Sequence, residues 1–169
     1  ERITGTPGEN LQGYSGALYD LVTAIKNIKH LQKNLLSFIN SNNSDIKDAY
    51  NDLRKLVAAT MRKIQEARII EDSTEAMLIL DHALLQIEEH SMTTSDRIEP
   101  LIRSHSISAE MATSLMTDTE YALNACRDLI AMAKVLFTGR DSTTVQLDQD
   151  IELNKDEMAS IIQPDNQDS

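Results

Sequence analysis

Lys26, Lys29, His30 and Lys33 fall at i, i+3, i+4 and i+7. On a helix that spacing puts all four on one face. Three ammonium groups beside an imidazole suit a phosphate or an acidic partner, because charge-assisted hydrogen bonds to such groups are the strong ones. The same pattern also serves as a solvated face, or as one paired with acidic residues elsewhere in the chain. Asp48 and Asp52 stand one helical turn apart. Two carboxylates at i, i+4 can share a divalent cation. They are equally readable as surface acids beside Lys47, Arg54 and Lys55.

Other chemistry is poorly served. The histidines are His30, His82, His90 and His105, and none follows a Glu by three residues, so the Glu-x-x-His pairs of a bundle di-iron site do not occur. There is no HExxH, and the single cysteine, Cys126, can form neither a Cys₂ nor a Cys₄ zinc site. A GxxxxGK[ST] phosphate loop is absent. Asp81 and His82 are adjacent, so on a helix they point about 100° apart and make a poor dyad. The expectation is a protein without catalytic turnover and without a cofactor.

The elements that must position these residues are helical. The chain has 169 residues, enough for one domain with one core, with only 5 Gly, 3 Pro, no Trp and 4% aromatics. So few breakers and strand-favouring aromatics argue against a sandwich, a barrel or a Gly-looped nucleotide fold. The longest apolar runs are about five residues, against the roughly 20 of a membrane-spanning helix, so no span is expected. A single cysteine fits a reducing compartment. The formal net charge of −11 disfavours nucleic-acid binding, which depends on neutralising phosphates. That charge is uneven: residues 18–70 carry nine Lys/Arg against five Asp/Glu, and residues 71–120 two against eleven. Antiparallel neighbours of opposite sign would attract, and the basic half could also face a partner.

Four apolar stripes with helical spacing predict four helices. The first begins near Ser15 and carries Leu18, Leu21, Val22, Ile25, Ile28, Leu31, Leu35 and Phe38. INSNNSD at 39–45 is a turn, with Ser44 the expected cap. The second stripe is Ile46, Tyr50, Leu53, Val57, Thr60, Ile64 and Ala67; EDST at 71–74 closes it. The third carries Met77, Leu80, Leu84 and Ile87, with a kink or break expected between 91 and 100 because of Pro100. SHSIS at 104–108 is the next junction, with Ser108 as a cap. The fourth carries Met111, Leu115, Ala122, Cys126, Leu129, Ala133 and Leu136 and stops at Gly139. Ile25, Leu53, Leu84 and Leu129 are the expected core. The fold class is therefore all-α, an elongated up-down bundle of four principal helices. Residues 1–14 read as a flexible lead-in, 15–139 as the bundle and 140–169 as an acidic, disordered tail.

The stretch LYDLVTAIKNIKHLQKNLLSFI at 18–39 resembles the opening helix of the cytoplasmic PhoU-like domain attached to bacterial sodium/phosphate cotransporters. It shares an aliphatic-Lys-aliphatic rhythm ending in the Leu-Gln-Lys-Asn-Leu run of Leu31–Leu35. LDHA at Leu80–Ala83 is similar to the Asp-His-Ala of a PhoU helix. The likeness runs from residue 18 to about 138. It implies a PhoU-like bundle at the cytoplasmic face of the bacterial inner membrane, a regulatory or assembly domain of a sodium-dependent phosphate transporter. Its implied partner is the membrane part of the same larger protein, with self-association through helices also open. PhoU proteins carry an acidic residue four positions before that Asp; here it is Met77, so no multinuclear metal cluster is expected on the third helix. Asp48/Asp52 is the full match to the E/D-xxx-D spacing within the helical core. Two other readings fit the same helices: an adaptor or assembly module unrelated to phosphate, and a four-helix sensor domain of a signalling receptor.

Overall fold

The computed structural model describes residues 7–137. They form α1 (Pro7–Phe38), α2 (Ser44–Arg68), α3 (Ser73–Arg103) and α4 (Ala109–Phe137), with no strand among them. This is the all-α bundle that the four stripes predict. The tail expected at 140–169 and the stop at Gly139 lie outside the described residues.

Side-chain contacts fix the up-down order. Tyr50 meets Asp118, so α2 and α4 touch directly. Glu88 binds Arg127 and Asp81 binds Lys134, so α3 runs antiparallel to α4. Arg97 binds Asp52, while Ile64 and Ala67 further along α2 cluster with Ala76 and Leu80 near the start of α3, so α3 is also antiparallel to α2. Helix α1 runs against α4 in the opposite sense: a Cβ on Gly13 would sit 3.8 Å from Val135, and His30 stacks on Tyr121. Its C-terminal end reaches α2, where the Phe38 and Tyr50 rings lie 4.9 Å apart. The α2–α4 pair is thus flanked by α1 and α3.

Two apolar clusters fill the interior. One, toward the α2–α3 junction, centres on Leu80, Ile87, Leu123, Cys126 and Ile130. The other, toward the α1–α2 and α3–α4 junctions, centres on Ile46, Tyr50, Leu53, Ile107 and Leu115. The α2 stripe is buried as predicted, from Ile46 through Tyr50, Leu53, Thr60 and Ile64 to Ala67. Leu53 and Leu129 are core residues, and Leu84 packs on the core from a half-buried position. Ile25 is a correction: it is 55% exposed. The line of α1 that enters the bundle is instead Ala17, Ala24 and Leu31. At about 100° per residue, the face bearing Ile25 is turned by roughly a right angle from it. Two apolar lines share this helix, and the one with the smaller side chains is covered.

The element ends differ from expectation in three places. Helix α1 starts at Pro7 rather than near Ser15. Proline suits the first helical position, where the missing N–H has no intrahelical partner anyway. The cap of α2 is Asn43, not Ser44: its Oδ1 accepts from Ile46 N at 3.1 Å. Its Nδ2 donates to the Ser106 carbonyl at 2.6 Å, tying the two loops at that end of the bundle together. Helix α3 is not broken between 91 and 100. Pro100 sits in its closing turns, and both Pro100 and Asp96, whose carbonyl loses its intrahelical donor there, are exposed residues. Ser108 caps α4 as predicted, its Oγ accepting from Met111 N.

The C-terminus of α3 closes with a Schellman motif. His105 N donates to the Ile102 carbonyl and Ser106 N to that of Leu101, at 3.1 and 3.0 Å. This requires a left-handed residue, and His105 supplies it with φ of 57°. A side chain is disfavoured there and glycine is not. His105→Gly is expected to stabilise the protein by about 1 kcal/mol, read as a higher denaturation midpoint at unchanged slope. A lower midpoint would show that the imidazole contributes more than the strain costs.

Candidate functional site

The two sequence-predicted constellations lie on different parts of the bundle. Lys26, Lys29, His30 and Lys33 are all exposed on α1. Around the helix the three lysines fall within an arc of about 60°. None of them forms an ion pair among the described residues. His30 is set apart at the edge of this face, its ring stacked on Tyr121 at 5.0 Å and an interplanar angle of 18°. The sequence allowed the lysines to be neutralised by acidic α3. That does not occur: the α3 carboxylates that pair across helices take Arg127 and Lys134 of α4. Arg127 grips Glu88 through Nε and Nη2 at 2.6 and 2.9 Å, and this lowers the carboxyl pKa of Glu88.

Beside the lysines, α1 shows solvent a second apolar line. Tyr14, Leu18, Val22, Ile25 and Leu36 are exposed, and all but Val22 fall within about 40° around the helix. An apolar line flanked by lysines is the pattern of a helix face that docks on something.

Asp48 and Asp52 are brought together with other groups in one cleft. They line a cleft of about 200 Å³ between α2 and α3, with Asp45, His90, Thr94 and Arg97 on its rim and Leu53 and Leu115 in its floor. Partial burial opposes the charge on Asp52, but hydrogen bonds from Lys55 and Arg97 outweigh it and hold the carboxyl below its usual range. Its two oxygens are committed to these cations, Oδ1 to Lys55 at 3.1 Å and Oδ2 to Arg97. Among the described residues no group of three or more His, Cys, Asp or Glu is placed to hold a metal ion. Burial, and then the nearby Arg97 charge, lower the pKa of His90 and favour the neutral imidazole. The Thr94 hydroxyl donates to the His90 backbone carbonyl at 2.8 Å, so it is not presented to the imidazole as a nucleophile.

Sequence reasoning missed the most buried polar pair. The Tyr50 hydroxyl donates to Asp118 Oδ2 at 2.6 Å, with both residues fully enclosed. Burial, reinforced by this hydrogen bond, raises the Tyr50 pKa far above its usual value. The signal was present. The α4 stripe steps from Leu115 to Ala122, and the positions that fill the gap at helical spacing are Asp118 and Thr119. A carboxylate on an apolar stripe calls for a buried donor on a facing helix.

Comparison with protein-family models, with curated proteins and with solved structures found no match to this chain. Among the described residues no helix is long and apolar enough to cross a membrane.

Proposed function

We propose that this bundle is a contact module, a regulatory or assembly domain of a sodium-dependent phosphate transporter that acts through protein contacts rather than catalysis. The observation that carries the contact reading is the outer face of α1. It combines an exposed apolar line with Lys26, Lys29 and Lys33, none paired within the described chain. A monomer that needed α1 only for its own core would have little use for Leu18 and Ile25 in water. The assignment to a transporter rests on the resemblance of residues 18–39 and of Leu80–Ala83. Its implied place is the cytoplasmic face of the inner membrane, beside the membrane part of the same protein.

The test is phosphate uptake by the intact transporter. Reversing Lys26, Lys29 and Lys33 to Glu should leave helical content unchanged, because exposed charges contribute little to stability. The same change should alter uptake, and more strongly at low salt, where exposed charges are less screened. Unchanged uptake after deletion of the whole bundle would overturn the regulatory role. Unchanged uptake in the triple variant alone would overturn the lysine face.

A further inference from the structure

The outer faces of α1 and α3 are complementary in apolar spacing and in charge. On α1, Leu18 and Ile25 lie one heptad apart with Val22 between them, and Leu18 is 62% exposed. On α3, Leu78, Leu85 and Met92 repeat at the same interval and are 64%, 67% and 82% exposed. Residues seven apart return to the same side of a helix within about 20°, so each set is a ridge along its helix. The α3 ridge lies roughly opposite Leu80 and Ile87, which enter the core, and so faces outward.

The ridges carry opposite charge. Lys26, Lys29 and Lys33 flank the one on α1, and Glu75, Glu89 and Asp96 are interleaved with the one on α3. These six residues are all exposed and form no ion pair among the described residues. By contrast, Asp81 and Glu88, which lean toward α4, are paired within the bundle. The lysines of α1 and the outward acids of α3 are therefore left over as two unneutralised sets of opposite sign. They do not meet within the chain: none of the six forms an ion pair with another among the described residues.

We propose that α1 of one copy docks on α3 of a second copy, ridge against ridge, with the lysine row against the acidic row. Heptad-spaced ridges meet at a shallow crossing angle, and flanking charges of opposite sign set which helix pairs with which. The two faces are unlike, so the contact is heterologous and assembles a ring where the rotation closes. Two copies of α1 would oppose lysine to lysine, and two of α3 acid to acid, which disfavours like-with-like pairing. This inference rests on reading the α1 face as a contact surface and names its partner. It does not depend on phosphate.

Sedimentation velocity on the 169-residue chain tests it, using two charge-reversed variants. One carries Lys26→Glu, Lys29→Glu and Lys33→Glu; the other carries Glu75→Lys, Glu89→Lys and Asp96→Lys. The wild-type chain should sediment faster as concentration rises, and raising the salt should weaken this. Each variant alone should lose self-association, since its two faces now share a sign, with circular dichroism confirming retained helix. An equimolar mixture of the two should associate again, because reversed α1 meets reversed α3. A wild-type chain that stays monomeric overturns the proposal. So does a mixture that stays monomeric while wild type associates, which would place self-association on another surface. If the chain is monomeric yet lysine reversal changes uptake, the inference falls and the contact function stands.

Discussion

Tyr50→Phe is expected to destabilise the bundle by about 3 kcal/mol at neutral pH, although it removes a single oxygen. The Tyr50 ring stays in place against Phe38, so no large cavity opens. What is lost is the donor to Asp118, whose side chain lies in the interior. Removing one partner of a buried charge-assisted bond leaves the other desolvated and unpaired, and that is the costly half of the change. Replacing both groups should be milder: Tyr50→Phe combined with Asp118→Leu should lose less than Tyr50→Phe alone. A second signature lies in the pH dependence. The folded-state pKa of Tyr50 is raised above the ordinary 10.0. Above that pH the unfolded chain loses the Tyr50 proton while the folded chain keeps it. Stability is then present in full below pH ~10 and declines as pH rises beyond it. This part of the alkaline decline should be absent with Phe at position 50. Urea denaturation at neutral and alkaline pH reads both effects. A neutral-pH loss under about 1 kcal/mol would show that Asp118 is satisfied without Tyr50.

Leu80→Ala is expected to cost about 3–4 kcal/mol. Leu80 is wholly buried, and its cluster includes Ala76, Ala83, Leu123 and Ile130. Two of these neighbours are alanines on its own helix, too short to fill a vacated space. The cavity should therefore persist, and its cost adds to the lost transfer energy. Ile25→Ala removes a comparable aliphatic group from α1, yet should change stability by less than about 0.5 kcal/mol, because the site is at the surface. Denaturation midpoints at matched slopes compare the two directly. Equal losses would mean that the outer face of α1 is covered within the chain, which would remove the basis for a docking surface.

These contrasts show where the sequence was legible. The α2 stripe is narrow, so every predicted position but Val57 is buried, and Val57 packs on both clusters from a half-buried position. Helix α1 carries apolar residues over a wide arc, and periodicity alone cannot say which half of that arc meets the bundle. Size misled as well: Ile25 was expected in the core, with Leu18 and Val22 on the same stripe, but the covered line is Ala17, Ala24 and Leu31. The uncovered half is also the better functional signal, since it is surplus to folding. Pro100 was read as a kink or a break because its position within the helix was unknown; near an exposed C-terminus its missing donor does not end the helix.

The candidate site was legible in its residues and not in its surroundings. The spacing of Lys26, Lys29 and Lys33 gave their common face, and the structure leaves them exposed there. The spacing of Asp48 and Asp52 gave a common face too, and the local Lys55 meets Asp52 as adjacent sequence allows, but the second cation on Asp52 comes from α3, forty-five residues away, as Arg97. Local patterning carries no record of such a partner. Charge balance by segment was also too coarse. It suggested that the basic first half and the acidic second half neutralise each other. The ion pairs between helices instead join α3 to α4, and the one joining α2 to α3 takes its acid from the basic half.

The central claim is that the outer face of α1 is covered by a partner when the protein is assembled. Hydroxyl-radical footprinting tests it most directly, with the proposed membrane-bound transporter compared with the 169-residue chain diluted in solution. Tyr14, Leu18 and Ile25 should be labelled readily in the dilute chain and protected in the proposed transporter. Met61 and Met116, exposed on α2 and α4, serve as the reference and should be labelled alike in both. Equal labelling of Tyr14, Leu18 and Ile25 in the two states would contradict the account.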